Sequence, residues 1–272
     1  MPYADVAGDV RLFYTDDHTD DGTSERPPLL LVHGWGTDSH QWSWHIDALT
    51  ADGHRVIAPD LRGHGYSSVP ETGNTPRAMA ADLKALLDVL GVRQVVAIGH
   101  SMGAQVVSFL AVEHPDRVRA LVAVDPGYGM SDDIARGFPR MVASLRGPRP
   151  HEAAEAIDEW CTNAATPAVV RRWHKRRLYG MAPHVLAEAM EAMFVAPDAI
   201  GARPASEEYL ARRTCPVLSI WSDAGRAAWE AGLLKDPASR VVCWEGSSHR
   251  LHEERPAEFV HLVTGWLRRV AA

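Results

Sequence analysis

Short apolar runs alternate with segments of helical periodicity along most of this sequence, and this alternation is the feature that most restricts its possible folds. The apolar runs are Leu29–Val32, Arg55–Ala58, Val95–Ile98, Leu121–Val124, Val217–Trp221 and Val241–Trp244. Between the second and third runs a helix is predicted to begin at Thr75, with Pro76 in its first turn, and to end at Gly91. Strands that alternate with helices predict an α/β fold with a parallel sheet covered on both faces. Residues 5–17 predict an antiparallel strand or hairpin at one edge.

The alternation stops for residues 126–214. This block has helical patterns at Glu152–Trp160, Pro167–Tyr179 and Val185–Phe194 and no convincing strand, and the strand pattern resumes at Cys215. We therefore expect a core made of residues 1–125 and 215–272. Residues 126–214 are expected to be a helical cap inserted over the sheet rather than an independent domain.

Composition and charge exclude several classes of function. The net charge of −7 argues against a nucleic-acid partner, because phosphates require clustered cations. The one basic run, residues 171–177, is predicted to be the solvated face of a helix. Cys161, Cys215 and Cys243 lack the spacing of metal ligands and are predicted to be reduced thiols. No leader-like segment or membrane-length apolar run is found, so a cytoplasmic protein without a membrane span is expected.

A serine lies between two glycines where an apolar run changes into a helical pattern. The segment Gly99-His100-Ser101-Met102-Gly103 follows the run Val95–Ile98. Gly-x-Ser-x-Gly between a strand and a helix is the pattern of a nucleophile elbow, which projects the hydroxyl into a cleft at the carboxyl ends of the strands. The glycines allow the strand and helix to pass without Cβ clashes. Although a serine here could also simply cap the helix, the pattern predicts that Ser101 is a nucleophile.

A second turn is predicted at the same edge of the sheet. His33-Gly34-Trp35-Gly36 follows the run Leu29–Val32. Acyl transfer creates an oxyanion, which preorganised backbone N–H groups stabilise. We assign the two donors to Trp35 and Met102, and we expect His33 and His100 to hold their loops in place.

The base is predicted in the loop after the last apolar run. A serine hydroxyl is a poor nucleophile near neutral pH and needs a base within hydrogen-bond reach. The sequence Gly246-Ser247-Ser248-His249 follows that run, and a loop at this place can reach the serine. Among the 14 histidines of the chain, His249 is therefore the predicted base.

Together these motifs resemble the α/β-hydrolase fold superfamily, in particular its small serine esterases, lactonases and C–C hydrolases with a helical lid. The resemblance covers nearly the whole chain and includes the segments Asp60–Ser67, His114–Val118 and Glu254–Pro256. It implies a mostly parallel, doubly wound sheet with a helical cap inserted after the sixth strand, and an acyl-enzyme mechanism without metal or organic cofactor. Epoxide hydrolases and haloalkane dehalogenases of this superfamily carry an aspartate at the elbow, so Ser101 argues against both activities.

The resemblance leaves two candidates for the acid of the catalytic triad. Family members most often place an aspartate after the strand that follows the lid, where this chain has Asp223, somewhat early for that position. Other members carry the acid at the end of the strand that enters the lid, which corresponds to Asp125. We favour Asp125 and keep Asp223 as the alternative, although Asp125 could instead start a loop and Asp223 could cap a helix.

Aromatic residues and methionines in the insertion favour an apolar pocket. The predicted substrate contacts are Gly34, Trp35, His100, Tyr128, Phe138 and Trp160. The predicted reaction is hydrolysis of a carboxylic ester or lactone of a small hydrophobic molecule. Hydrolysis of a C–C bond beside a ketone, peracid formation of the cofactor-free haloperoxidase type and a ligand receptor on the same fold are the alternatives. No oligomeric state follows from the sequence.

Overall fold

The computed structural model describes residues 2–18 and 26–270, and eight strands within these ranges form one sheet. The strands are β1 (Tyr3–Ala7), β2 (Val10–Asp17), β3 (Leu29–Val32), β4 (Val56–Pro59), β5 (Val95–His100), β6 (Val118–Val124), β7 (Val217–Trp221) and β8 (Arg240–Cys243). Their spatial order is β1-β2-β4-β3-β5-β6-β7-β8. Residues 1, 19–25 and 271–272 of the predicted core lie outside the described residues.

The sheet is parallel except at its first edge. β1 pairs antiparallel with β2, and β2 pairs antiparallel with β4, whereas the other neighbouring strands run parallel. Every residue of β3, β4 and β5 is buried, as expected for strands that are covered on both faces. The predicted mostly parallel sheet with an antiparallel edge is therefore confirmed.

Helices of the core cover the two faces of the sheet. They are α1 (Ser43–Ala51), α2 (Pro76–Val89), α3 (Met102–Glu113), α10 (Ala224–Ala231), α11 (Leu251–Glu254) and α12 (Pro256–Val270). α2 and α3 pack together in one apolar cluster, and α1 and α12 pack together in the other. Within residues 2–18 and 26–270, no helix is both long and apolar enough to cross a membrane.

Helix α2 begins as its sequence predicts. The side chain of Thr75 accepts a hydrogen bond from the N–H of Ala78 at 3.2 Å, and Pro76 occupies the first turn, where its missing N–H costs nothing. α3 begins directly after Ser101 and ends at Glu113, just before His114-Pro115.

The chain between β6 and β7 is helical, and we call it the cap. Its helices are α4 (Asp132–Ala135), α5 (Phe138–Leu145), α6 (Pro150–Glu159), α7 (Ala168–Gly180), α8 (Pro183–Phe194) and α9 (Ala205–Leu210). α6, α7 and α8 correspond to the three predicted segments, while α4, α5 and α9 were not predicted. A bridge between Met130 and Ala202 joins the two ends of the cap. The insertion after the sixth strand is thus confirmed, and its inability to fold alone stays a prediction.

The register of the parallel strands brings four strand ends together. Val32 pairs with Gly99, His100 pairs with Val124, and Val124 pairs with Ile220. The loops that leave β3, β5, β6 and β7 therefore start side by side at one edge of the sheet, beneath the cap.

Candidate active site

Ser101 occupies a strained turn between β5 and α3. Its φ of 54° and ψ of −114° lie in a region that residues other than glycine rarely adopt. The N–H of Ser101 donates to the carbonyl of Val124, and its own carbonyl accepts from the N–H groups of Ala104 and Gly127, each at 3.0 Å. Neighbouring segments thus hold the strained backbone from two sides.

The two glycines of the elbow are required by close backbone contacts. A Cβ atom on Gly99 would lie 2.3 Å from the carbonyl oxygen of Gly103. A Cβ atom on Gly103 would lie 2.3 Å from the carbonyl oxygen of Val32 and 2.6 Å from that of His33. Only glycine allows β3, β5 and α3 to approach so closely. This is the role that the sequence pattern predicted for the two glycines.

His249 lies in the loop between β8 and α11 and faces Asp125. Nδ1 of His249 is 2.6 Å from Oδ2 of Asp125. Oδ1 of Asp125 accepts hydrogen bonds from the N–H and the hydroxyl of Ser222, at 2.7 and 2.9 Å. Because a carboxylate accepts and does not donate, Nδ1 carries the proton, and the neutral ring offers a lone pair at Nε2.

Asp125 is charged at neutral pH. Burial raises the pKa of this carboxyl, but the hydrogen bond and charge of His249, together with Arg226, lower it below the ordinary value. A buried carboxylate in this state can fix the orientation of the imidazole and stabilise its protonated form.

Asp223 has a different environment. Its side chain is 51% exposed, and its Oδ1 accepts a hydrogen bond from the N–H of Arg226 at 2.7 Å, so it caps α10. The structure therefore pairs His249 with Asp125, the favoured candidate, and places the alternative acid at the start of a helix.

His100 connects the turn of Ser101 to the loop of His249. Nε2 of His100 donates to the carbonyl oxygen of His249 at 2.8 Å, and a Cβ atom on Gly34 would lie 2.8 Å from Nδ1 of His100 and 3.3 Å from Cβ of Ser101. Ser101, His249 and Gly34 thus belong to one site. His100 itself is 2% exposed and joins these two loops, and its contact with a substrate stays a prediction.

The two predicted oxyanion donors lie on either side of Ser101. Met102 follows the serine as the first residue of α3, where backbone N–H groups have no partner within the helix. Trp35 follows Gly34, which faces Cβ of Ser101. Both backbone segments therefore adjoin Ser101, and their role as oxyanion donors stays a prediction.

The cap contacts the loop that carries Trp35, residues 33–38, which we call the oxyanion loop. The indole N–H of Trp35 donates to the carbonyl of Leu186 in α8 at 3.0 Å. Nε of Arg177 in α7 lies 2.8 Å from Oδ1 of Asp38. His174 is fully buried and the Arg177 side chain is only 9% exposed, so the basic run is not simply a solvated helix face. Its helix docks onto the core, and these two side chains point into the contact.

Three predicted substrate contacts lie elsewhere. Tyr128 is fully buried, and its hydroxyl donates to Glu230 at 2.7 Å, so it belongs to the packing beneath the cap. Phe138 stacks on Phe194 at 3.8 Å between ring centroids, which joins α5 to α8. Trp160 is 75% exposed at the end of α6. Tyr128 and Phe138 are therefore packing residues in this structure and Trp160 lies at the surface, while contact of any of the three with a substrate stays a prediction.

A buried polar cluster was not predicted. Gln41, Glu253 and His174 are each at most 2% exposed, and Glu253 accepts hydrogen bonds from both Gln41 of the core and His174 of the cap. Gln41 follows the oxyanion loop, and Glu253 follows His249 by four positions. The short distances in sequence from Gln41 to the oxyanion loop and from Glu253 to His249 were the only features of the sequence that could have indicated this cluster.

The described residues contain no group of three or more histidine, cysteine or carboxylate side chains that could hold a metal ion. Cys161, Cys215 and Cys243 are all free thiols. Burial raises the pKa of Cys161 and of Cys215 to about 11, so both thiols are protonated at neutral pH.

Comparisons with known proteins identify the family of this chain. The model of a family described as the alpha/beta hydrolase fold matches residues 27–163. A soluble epoxide hydrolase of Corynebacterium sp. (strain C12) is 32% identical over 243 residues, which covers 85% of this chain and 77% of that protein.

Solved structures match over almost the whole chain. A thermophilic esterase from Thermogutta terrifontis, with malate bound, superposes with a TM-score of 0.82 over 99% of this chain and 98% of its own, at 26% identity. The enol-lactonase from Burkholderia xenovorans LB400 superposes with a TM-score of 0.83 over 98% of this chain and 100% of its own, at 24% identity. At that identity the lactonase is evidence for the fold alone.

Proposed function

This chain belongs to the alpha/beta hydrolase fold family, and we propose that within it the protein is a serine hydrolase that cleaves a carboxylic ester or lactone of a small hydrophobic molecule. The observation that carries the proposal is the 2.6 Å contact between His249 Nδ1 and Asp125, at the site that also holds Ser101 in its strained turn. A nucleophile, an oriented base and a buried acid are the parts that acyl transfer through serine requires.

In the proposed reaction, the hydroxyl of Ser101 attacks the substrate carbonyl while Nε2 of His249 takes its proton. The tetrahedral intermediate collapses, the C–O bond to the alcohol breaks, and His249 returns the proton to the leaving oxygen. His249 then activates a water that releases the acid from the acyl-enzyme. Asp125 remains ionised throughout and stabilises the imidazolium.

The N–H groups of Trp35 and Met102 are the proposed donors to the oxyanion. The Met102 group also lies at the N-terminus of α3, where the helix dipole favours negative charge. Loss of one such donor typically costs about 3 kcal/mol of transition-state stabilisation.

Similarity to an epoxide hydrolase does not imply that this chain opens epoxides. A carboxylate at the elbow can open an epoxide because the resulting ester is then hydrolysed. A serine would instead form an ether, which the same site could not hydrolyse. Ser101 therefore supports acyl transfer and argues against epoxide opening.

Apolar cap side chains beside the site support a hydrophobic substrate. A Cβ atom on Gly36 would lie 2.5 Å from Leu178 and 4.0 Å from Leu186, so these leucines of α7 and α8 cover the oxyanion loop. Leu178 and Leu186 are themselves buried, so together with the partly buried Trp35 they make the wall behind the proposed donors apolar.

The proposal is tested with a panel of nitrophenyl esters, lactones and diketones. We expect turnover of esters or lactones with an initial burst, loss of at least about 10⁴-fold in kcat for Ser101→Ala, and labelling of the wild type by a fluorophosphonate at Ser101. Ser108→Ala, which replaces a buried serine within α3, is the control and should retain activity.

Other outcomes would redirect the proposal. Cleavage of diketones without ester turnover would assign C–C hydrolysis to the same residues. Labelling at Ser222 or Ser248, or Ser101→Ala activity within tenfold of wild type, would remove Ser101 as the nucleophile. Tight ligand binding without any turnover would favour a receptor.

A further inference from the structure

The peptide between Gly34 and Trp35 is held in one orientation by its carbonyl oxygen. Nε2 of His33 accepts the N–H of Leu61 at 3.0 Å, so the neutral ring carries its proton on Nδ1 and donates it to the carbonyl of Gly34 at 2.9 Å. The hydroxyl of Thr37 donates to the same oxygen at 3.0 Å. In a trans peptide the N–H points opposite to the C=O, so these two bonds also direct the N–H of Trp35.

Gln41 fixes the other side of Gly34. Its Oε1 accepts the N–H of Gly34 at 3.1 Å. Its Nε2 lies 3.1 Å from Nδ1 of His100 and 3.3 Å from Oε2 of Glu253. An N–H needs an acceptor and a carboxylate needs a donor, so the orientation of this amide is determined by its partners. Gln41 is 2% exposed, so water does not substitute for these bonds.

The same amide reaches the loop of His249 through two routes. His100 accepts from Gln41 at Nδ1 and therefore donates from Nε2 to the carbonyl oxygen of His249, at 2.8 Å. Glu253 lies four residues beyond His249 and also accepts from His174 of the cap at 2.8 Å. A single side chain thus connects the oxyanion loop, the elbow and the loop of the proposed base.

The charge of Glu253 strengthens this connection. Burial opposes its ionisation, but the charge and hydrogen bond of His174 and the charge of Arg250 lower the pKa of Glu253 to about 2. Gln41 therefore donates to a carboxylate, and hydrogen bonds to charged groups are stronger than those between neutral groups.

We propose that Gln41 is a positioning residue that sets the N–H of Trp35 and the imidazole of His249 at a fixed separation around the serine. This inference rests on the proposed serine-hydrolase function. Because the N–H of Trp35 would bind only the developing oxyanion, loss of the connection should lower kcat and leave KM nearly unchanged.

The test is Gln41→Met, which keeps a side chain of similar length and cannot bridge the loops by hydrogen bonds. Displacement of a reacting group by about 1 Å can cost about 100-fold in rate, so we expect kcat for a nitrophenyl ester to fall roughly 10- to 100-fold with KM within threefold. A thionoester of the same acid should lose much less, because sulfur is a weak hydrogen-bond acceptor and depends less on the Trp35 N–H. Gln41→Asn, whose shorter side chain cannot span the same partners, should change kcat in the same direction and serves if the methionine variant does not fold.

Asn74→Leu is the matched control for loss of a buried amide. Asn74 is fully buried and donates to the carbonyl of Pro70 at 2.9 Å and to Glu188 at 2.8 Å, away from both loops. It should lower Tm by a similar amount as Gln41→Met while kcat stays within threefold of wild type.

Three results would overturn the inference: an unchanged kcat in Gln41→Met, equal losses with ester and thionoester, or an equal kcat loss in Asn74→Leu. If wild type itself turns over no ester and is not labelled at Ser101, the proposed function fails instead. The two failures are therefore distinguishable from the wild-type measurements alone.

Discussion

Nδ1 of His249 lies 2.6 Å from Oδ2 of Asp125, although the two residues are 124 positions apart in the chain. Asp125 reaches this position from the end of β6 with a φ of 36°, an unusual conformation for a residue with a side chain. Backbone strain therefore occurs at both Ser101 and Asp125, and at no other non-glycine position of the described residues is φ positive. Such strain is typical of sites where the surrounding fold holds functional groups in place.

The contact predicts the effect of neutralising each candidate acid. Asp125→Asn should lower kcat by about 10³- to 10⁴-fold. Because Ser222 donates to Oδ1, the amide nitrogen would face Nδ1 of His249, favour the other tautomer and carry no charge to stabilise the imidazolium. Asp223→Asn should change kcat only a few-fold, since asparagine also caps helices well. Steady-state kinetics with both variants, and circular dichroism to check folding, provide the comparison. If Asp223→Asn lost activity while Asp125→Asn remained active, Asp223 rather than Asp125 would be the acid.

Strain at the elbow predicts that position 101 tolerates glycine better than alanine. At φ 54° and ψ −114° glycine is unstrained, whereas alanine keeps the Cβ penalty. Ser101→Gly should therefore have a free energy of unfolding about 1 kcal/mol higher than Ser101→Ala, after the entropy cost of glycine. Urea denaturation of the two variants, both expected to be inactive, measures the difference. Equal stability would mean that the turn is not strained in solution.

Replacing glycine by alanine is predicted to have opposite effects on stability at the elbow and in α12. Gly103→Ala forces a Cβ within 2.3 Å of the Val32 carbonyl and should destabilise the fold by about 3 kcal/mol. At Gly265 in α12 a new Cβ would have no heavy atom within 4 Å apart from its chain neighbours and the backbone of its own helix, so Gly265→Ala should stabilise the fold by up to about 1 kcal/mol. Thermal unfolding of both variants compares them directly, and a well-tolerated Gly103→Ala would contradict the packing described for the elbow.

Buried histidines predict a loss of stability in mild acid. Burial lowers the pKa of His33 to about 4 and that of His64 to about 3. The unfolded chain binds these protons near pH 6.5, so the free energy of unfolding falls as the pH drops below that value, by about 2 kcal/mol per residue at pH 5. Asp60 and Asp82, whose pKa values are raised by burial, offset part of the loss at lower pH.

Urea denaturation at pH 7 and pH 5 measures this loss of stability. The free energy of unfolding of the wild type should be clearly lower at pH 5 than at pH 7. His64→Phe removes one titrating group, so its free energy of unfolding should depend less on pH. Parallel pH profiles for wild type and variant would show that His64 does not contribute.

Local sequence determined the sheet, the elbow and the residues expected to do the chemistry. The spacing of Gly99, Ser101 and Gly103 follows from backbone contacts that only glycine permits, so the pattern predicts the turn without knowledge of the rest of the chain. Thr75 and Pro76 likewise act within a single helical turn, and α2 begins where they predict. Short-range rules are sufficient in these cases because the atoms involved are close in sequence.

Only the tertiary structure showed that Asp125 rather than Asp223 contacts His249, and only it revealed the contacts of Gln41. The two aspartates follow neighbouring parallel strands, so from the sequence either one is a possible partner of His249. The choice depends on the strand register and on the position of Asp223 at the start of a helix. Gln41 meets partners 59 and 212 positions away. The partners of the aromatic residues in the cap could not be predicted for the same reason. An amphipathic sequence pattern indicates that one face of a helix is buried, but it does not indicate which surface covers that face. Contacts between distant segments depend on how helices and strands dock, and that information is absent from any short stretch of sequence.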